Sequence, residues 1–296
     1  MNSTTTLQRI AGRASDIGEG MTVLRALPTR QRRMIGAWCF LDHLGPVDFP
    51  TGQGMHVGAH PHIGLQTFTW LIEGEVLHRD SLGSAQVIRP GQVNLMTAGH
   101  GVVHTEDSVA DGLRLHAAQL WIALPPEAAD CLPAFEHYLD LPRWAEGETT
   151  LTLLAGTYAD HAMQARFHSP LVGLDAHSAS GGNLRLTLDP GFEHGLFVLA
   201  GELQLAGETY TLDELAYLPP GPSELTLRLA PGSRLLILGG QPFPEPVLMF
   251  WNFVGHHKAD IATAWRDWEA GDPRFGRVEG DEGRRLSSPP LPWVGV

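Results

Sequence analysis

The chain has 296 residues, 43% hydrophobic and 18% charged, with a net charge of −13 from 20 Lys and Arg against 33 Asp and Glu. A chain of this length can bury about three quarters of its unfolded surface, and its apolar content excludes a disordered polymer. The acidic balance repels phosphate backbones and anionic lipid, which argues against direct nucleic-acid or membrane binding.

Met1 to Arg13 carries no apolar run of leader length, and no later stretch approaches about 18 uninterrupted apolar residues, so a cytoplasmic location is expected. Cys39 and Cys131 lie far apart without Cys-x-x-Cys spacing and are expected as ordinary buried or half-buried thiols. The 34 Gly and 22 Pro break the chain into short runs rich in Val, Leu, Ile, Phe, Thr and Trp, too brief for helices. Thr67 to Ile72, Ser84 to Ile88, Val93 to Met96 and Leu115 to Leu124 are such runs, each closed by a Gly or Pro turn. The pattern predicts an all-β protein of sandwich or barrel type.

A weak internal repeat divides these strands. Trp70-Leu-Ile-Glu-Gly74-Glu75 recurs as Val198-Leu-Ala-Gly201-Glu202, and the next landmarks, Thr97-Ala-Gly99 and Pro219-Pro-Gly221, keep the same order. Two barrels follow, 1–135 and 136–296, joined through a Pro-rich stretch from about Pro125 to Gly147. In the second half, Ile261, Ala264, Trp265 and Trp268 have helical spacing over Ala259–Glu269. Gly271 to Val296 is expected as a surface tail anchored by Trp293.

Seven of the 15 His residues (His56, His60, His62, His78, His100, His104 and His116) fall between residues 56 and 116 of the first barrel. Strand side chains alternate faces, so His60-Pro-His62 sends both imidazoles to one side, and His104-Thr-Glu106 does the same with an imidazole and a carboxylate. On neighbouring strands the two pairs can converge as a three-His, one-carboxylate metal site with open positions for water or substrate. Without thiolates, the donor set suits Fe(II), Mn, Co, Ni, Cu or Zn. The isolated His56, His78, His100 and His116 are expected as hydrogen-bonded structural residues. His56 and His116 are candidates to hold the second nitrogen of a ligating imidazole.

These residues resemble the pirin family of the cupin superfamily. The likeness is carried by His60-Pro-His62-Ile-Gly64, Leu71-Ile-Glu-Gly74-Glu75, His78-Arg-Asp80-Ser, Pro90-Gly91 and Met96-Thr-Ala-Gly99-His-Gly101-Val-Val-His104-Thr-Glu106. It extends to Asp16-Ile-Gly18 and Phe40-Leu-Asp42-His43-Leu-Gly45-Pro46 upstream, and to Gln119-Leu-Trp121 and Glu245-Pro246-Val downstream. It is strong over residues 8 to 124 and a matter of layout to about 270. The resemblance implies a bicupin, with an N-terminal metal-binding cupin domain over 1–135 and a C-terminal metal-free one over 136–296 that carries the terminal helix and tail. It also implies one divalent metal per chain, most often iron, at His60, His62, His104 and Glu106. Family members include flavonol dioxygenases acting on quercetin and, in animals, a nuclear iron-dependent transcriptional coregulator.

Two departures stand out. Gln66 occupies the position where a general cupin has a carboxylate, and Gly36-Ala-Trp-Cys39-Phe40 differs from the Gly-Pro-Phe wording common in the family. The leading expectation is a quercetin 2,3-dioxygenase-type oxidoreductase taking an aromatic hydroxy-compound and O2, with Glu106 as both ligand and base. A metal- or redox-responsive interaction protein with a protein partner is the alternative, and a metal-assisted isomerase or hydrolase a third reading. For the second barrel, aligning the repeat puts Thr187 and Asp189 opposite His60 and His62, and Thr226 and Arg228 opposite His104 and Glu106. That barrel is expected to be metal-free, with His194 as a hydrogen-bonded barrel histidine.

Overall fold

The computed structural model describes residues 7–17, 21–110, 112, 114–281 and 283–293. The first six residues of the leader reading, Gly18 of the upstream motif and the last three residues of the expected tail lie outside them. Two compact units interleave along the chain. One gathers Asp16–Val23, Leu44–Leu139 and the chain from Glu245 onward; the other gathers the segment ending at Ser15, Leu24–His43 and Asp140–Pro244.

The first unit contains β1 (His56–His62), β2 (Leu65–Glu73), β3 (Val76–Asp80), β4 (Ala85–Ile88), β5 (Val93–Thr97), β6 (Val102–Ser108), β7 (Arg114–Ala123) and β8 (Ala134–Tyr138). One antiparallel sheet runs β1-β6-β3-β4, and β8-β5-β2-β7 are successive strands of a longer antiparallel sheet. Inward side chains of both sheets, including Leu71, Val76, Ile88, Leu115 and Ala117, form one apolar cluster. Burying each such Leu, Ile or Val stabilises the barrel by about 1.5–3 kcal/mol. Along β3 the same inward face passes from Val76 to His78 and Asp80, both buried. The apolar interior therefore gives way to a polar one within a single strand.

The outer face of β1 and β6 is covered by α1 (Lys258–Ala270), whose Ile261, Ala264 and Trp268 pack with Ala59 and Val103. The helix begins where the Asp260 carboxylate accepts from the His257 backbone N–H at 2.9 Å, and ends at Gly271, whose φ of 71° is left-handed. The chain beyond α1 is bound more closely than an anchored tail. Trp265 and Trp268 donate their indole N–H groups to the carbonyls of Pro289 and Leu286, and Arg284 pairs with Asp107 on β6. The stretch expected as a linker is also structured, since β8 within it pairs with β5 and Arg143–Glu146 forms a strand of the second unit.

The second unit contains β9 (Thr149–Tyr158), β10 (Leu171–Ser178), β11 (Gly182–Thr187), β12 (Glu193–Ala200), β13 (Glu214–Leu218), β14 (Glu224–Leu229) and β15 (Ser233–Gly240). Its larger sheet runs β13-β12-β15-β10-β9, with Gln8–Ala11 added beside β13, and β11 pairs with β14 in a smaller one. The departing segment near Trp38 belongs to this unit: Gly36 N–H donates to Glu193 at 2.6 Å, and the Trp38 indole reaches the Gly239 carbonyl at 3.2 Å. The fold is thus the expected all-β bicupin with one C-terminal helix among the described residues. No helix of the described residues is long and apolar enough to cross a membrane.

Candidate metal centre

β1 and β6 pair with His104 directly opposite His60 and Val102 opposite His62. A bulge then places Gly58 and Ala59 against Thr105 alone. The bulge lets the Gly58 carbonyl accept from His60 Nδ1 at 2.9 Å. It is held from behind: the Asp281 carboxylate accepts the Ala59 N–H at 3.0 Å, and the Ala59 carbonyl accepts from Leu286. Gly58 is required by this contact, because a Cβ there would stand 2.0 Å from the Arg284 carbonyl oxygen.

His60, His62 and His104 converge, with ring centroids 4.3 to 5.0 Å apart and donor atoms within 4.8 Å of one another. Their partners fix the tautomers. His60 Nδ1 faces the Gly58 carbonyl and His62 Nδ1 faces the Asn252 carbonyl at 3.1 Å, so both must donate. His104 Nδ1 lies 3.3 Å from His78 Nδ1, while His78 Nε2 lies 3.1 Å from Asp80 Oδ2. His78 donates to the carboxylate and therefore accepts from His104. All three Nε2 atoms are left with bare lone pairs, and those of His62 and His104 stand 3.1 Å apart.

Burial holds the imidazoles neutral, lowering His60 to about 4 and the other two well below their ordinary value. Facing lone pairs repel unless a Lewis acid lies between them. Two metal–nitrogen bonds of about 2.1 Å meeting at a right angle would set their nitrogens about 3.0 Å apart. The cluster therefore fits a divalent metal ion in both electronics and spacing.

Glu106 shares the inward face of β6 with His104 and pairs across to His78 on β3. It is half-buried, and its carboxylate groups with His78 and His104 rather than with all three ligating imidazoles at once. Burial raises its pKa, against the lowering effect of His78 and of a hydrogen bond with Thr69. Asp80 is pushed up by burial, but His78 and the Ser84 N–H outweigh this and hold it below the usual range. Trp121 on β7 and the His62 ring meet edge to face, with centroids 5.2 Å apart.

The residue behind His104 is thus His78, which sequence reasoning set aside as structural. His-x-Asp at positions 78 and 80, two residues apart on one strand, was the signal that could have found it. His56 instead pairs with Asp107 at 3.0 Å on the outer face, and buried His116 lies opposite Glu73 where β7 pairs with β2. His100 donates to the Cys131 carbonyl at 3.2 Å. Gln66, one residue out of phase with Thr67, donates its amide to Thr97 at 2.9 Å on the neighbouring strand. Cys39 is buried and Cys131 half-buried, and neither takes part in a disulfide among the described residues.

A family model described as Pirin matches residues 20–122, and one described as the Pirin C-terminal cupin domain matches 173–276. The chain belongs to the pirin family. A Pseudomonas aeruginosa protein provisionally named quercetin 2,3-dioxygenase is 60% identical over 97% of this chain and 91% of its own length. A pirin-like protein of Caulobacter vibrioides is 36% identical over 88% and 91%. A solved structure titled quercetin 2,3-dioxygenase, from Acinetobacter baumannii, matches with a TM-score of 0.94 at 48% identity over 97% of this chain and 96% of that one. This pirin therefore shares fold and near-complete length with its relatives.

In the second barrel of this pirin, the repeat alignment proves one residue out of phase. Thr187, Asp189, Thr226 and Arg228 are exposed, while Leu184, Leu186, Leu227 and Leu229 are buried. A one-residue shift in a strand exchanges its two faces. Leucines, rather than the residues named from the alignment, fill the interior of the β11–β14 pair.

Proposed function

We propose that this pirin is a metal-dependent dioxygenase that cleaves a flavonol such as quercetin, with His60, His62, His104 and Glu106 holding one Fe(II) ion. The observation that carries this reading is the convergence of three neutral imidazoles with bare Nε2 atoms, with the Glu106 carboxylate next to one of them, His104. A bound ion supplies Lewis acidity toward the substrate hydroxyl and the redox centre that O2 chemistry requires. Glu106 would help hold the ion and would take the proton of the substrate hydroxyl. The Asp80–His78 pair keeps His104 in its ligating tautomer, and Trp121 packs against the His62 ring. The names of the Pseudomonas and Acinetobacter relatives support the substrate class. The second barrel is read as metal-free.

The test is oxygen consumption by the iron-loaded protein with quercetin, beside Glu106→Gln. The variant should lose about 10²–10⁴ in rate per bound metal, because an amide offers an oxygen to the ion but takes no proton. Equal activity per metal would make Glu106 a ligand only. No oxygen uptake by the fully metallated protein with any flavonol would overturn the dioxygenase reading.

A further inference from the structure

The second barrel has a cavity of its own, about 400 Å³, within the size range of small-molecule sites. Its floor is formed by Leu174, Leu186 and Ile237, each at most 2% exposed, and by His194. Half-buried Phe192 and exposed Asp189 stand nearer solvent. His194 is itself 2% exposed, and its Nδ1 has no hydrogen-bond partner among the described residues, contrary to the expectation of a bonded barrel histidine. The opposite edge of the ring lies against Gly239, where a Cβ would come within 2.7 Å of His194 Cδ2. The absence of a side chain at 239 thus makes room for an imidazole that no protein group satisfies at Nδ1.

Leaving a buried polar atom unpaired is unfavourable, and an occupant of the cavity can remove that cost. The lining selects its chemistry. No Lys or Arg is among the described residues that line the cavity, and Asp189 places a negative charge there, so an anion gains nothing. The apolar floor and the Phe192 ring, whose centroid is 6.3 Å from that of His194, suit an aromatic ring. We infer that the second barrel binds a neutral, monohydroxylated aromatic compound whose hydroxyl hydrogen-bonds His194. The cavity is lined only by residues of the second unit and by none of the metal-centre side chains, so this site is independent of the metal centre and of the reaction proposed for it.

Calorimetric titration of the metal-loaded full chain with 4-ethylphenol, ethylbenzene and benzoate tests the assignment. The phenol should bind about tenfold more tightly than ethylbenzene and more tightly than benzoate, and His194→Leu should abolish the preference for the hydroxyl. His104→Ala should leave phenol binding unchanged. A crystal of the wild-type chain soaked in 4-ethylphenol should place the hydroxyl within hydrogen-bond distance of His194, a result independent of how well the variants fold. Equal affinity for ethylbenzene, stronger binding of benzoate, loss of binding in His104→Ala, or water alone at His194 in the soaked crystal would overturn the inference.

Discussion

Replacing His78 by Phe tests the hydrogen-bond chain behind the metal centre. His78 accepts from His104 Nδ1 at 3.3 Å and donates to Asp80 at 3.1 Å, and its ring stacks on Phe135 at 4.5 Å with the planes 16° apart. Phe keeps the ring and the stacking while deleting both nitrogens. The buried His104 Nδ1–H then has no acceptor at that position, a penalty of about 1–3 kcal/mol. The alternative is for the proton to move to Nε2, which removes the lone pair the metal needs. At 1.4 kcal/mol per factor of ten, the expected loss in metal affinity is about 10- to 100-fold, the range typical of partners behind a ligating His. Competition against a chromophoric chelator of known affinity measures it, with circular dichroism to confirm the fold. His56→Phe, altering an imidazole whose side chain is 40% exposed on the outer face, should bind metal like the wild type. Wild-type affinity in His78→Phe would refute the claim that His78 fixes the His104 tautomer.

Gly58→Ala should displace the chain at Arg284, 2.0 Å from the new Cβ, and with it the bulge that aims His60. Lower metal occupancy together with faster proteolysis after α1 is expected, and unchanged values in both would show that the bulge tolerates the contact. His194 titrates at about 4 in the folded chain, lowered by burial, against about 6.5 unfolded. Between these values the unfolded chain binds more protons, so stability falls as pH drops from 6.5 toward 4, by up to about 3 kcal/mol from this group. Urea midpoints at pH 7 and pH 4.5 should therefore diverge less in His194→Leu than in the wild type; equal divergence would show that His194 is not held neutral.

The all-β class, the two-barrel repeat, a helix over Ala259–Glu269 and the shared faces of His60 with His62 and of His104 with Glu106 were legible in the sequence because each rests on local periodicity. Alternation along a strand decides which side chains share a face, and turn residues mark where strands stop. Three things were decided only by tertiary structure. The role of His78 depends on which strand lies beside β6, and nothing within β3 itself names that neighbour. The faces of β11 and β14 depend on register, and a one-residue error in a repeat alignment exchanged buried leucines for exposed polar residues. The packing of α1 behind the histidine-bearing sheet depends on which apolar face of β1 and β6 is left uncovered. Local sequence sets the periodicity of each element, but its neighbours are chosen by the surface that remains to be buried.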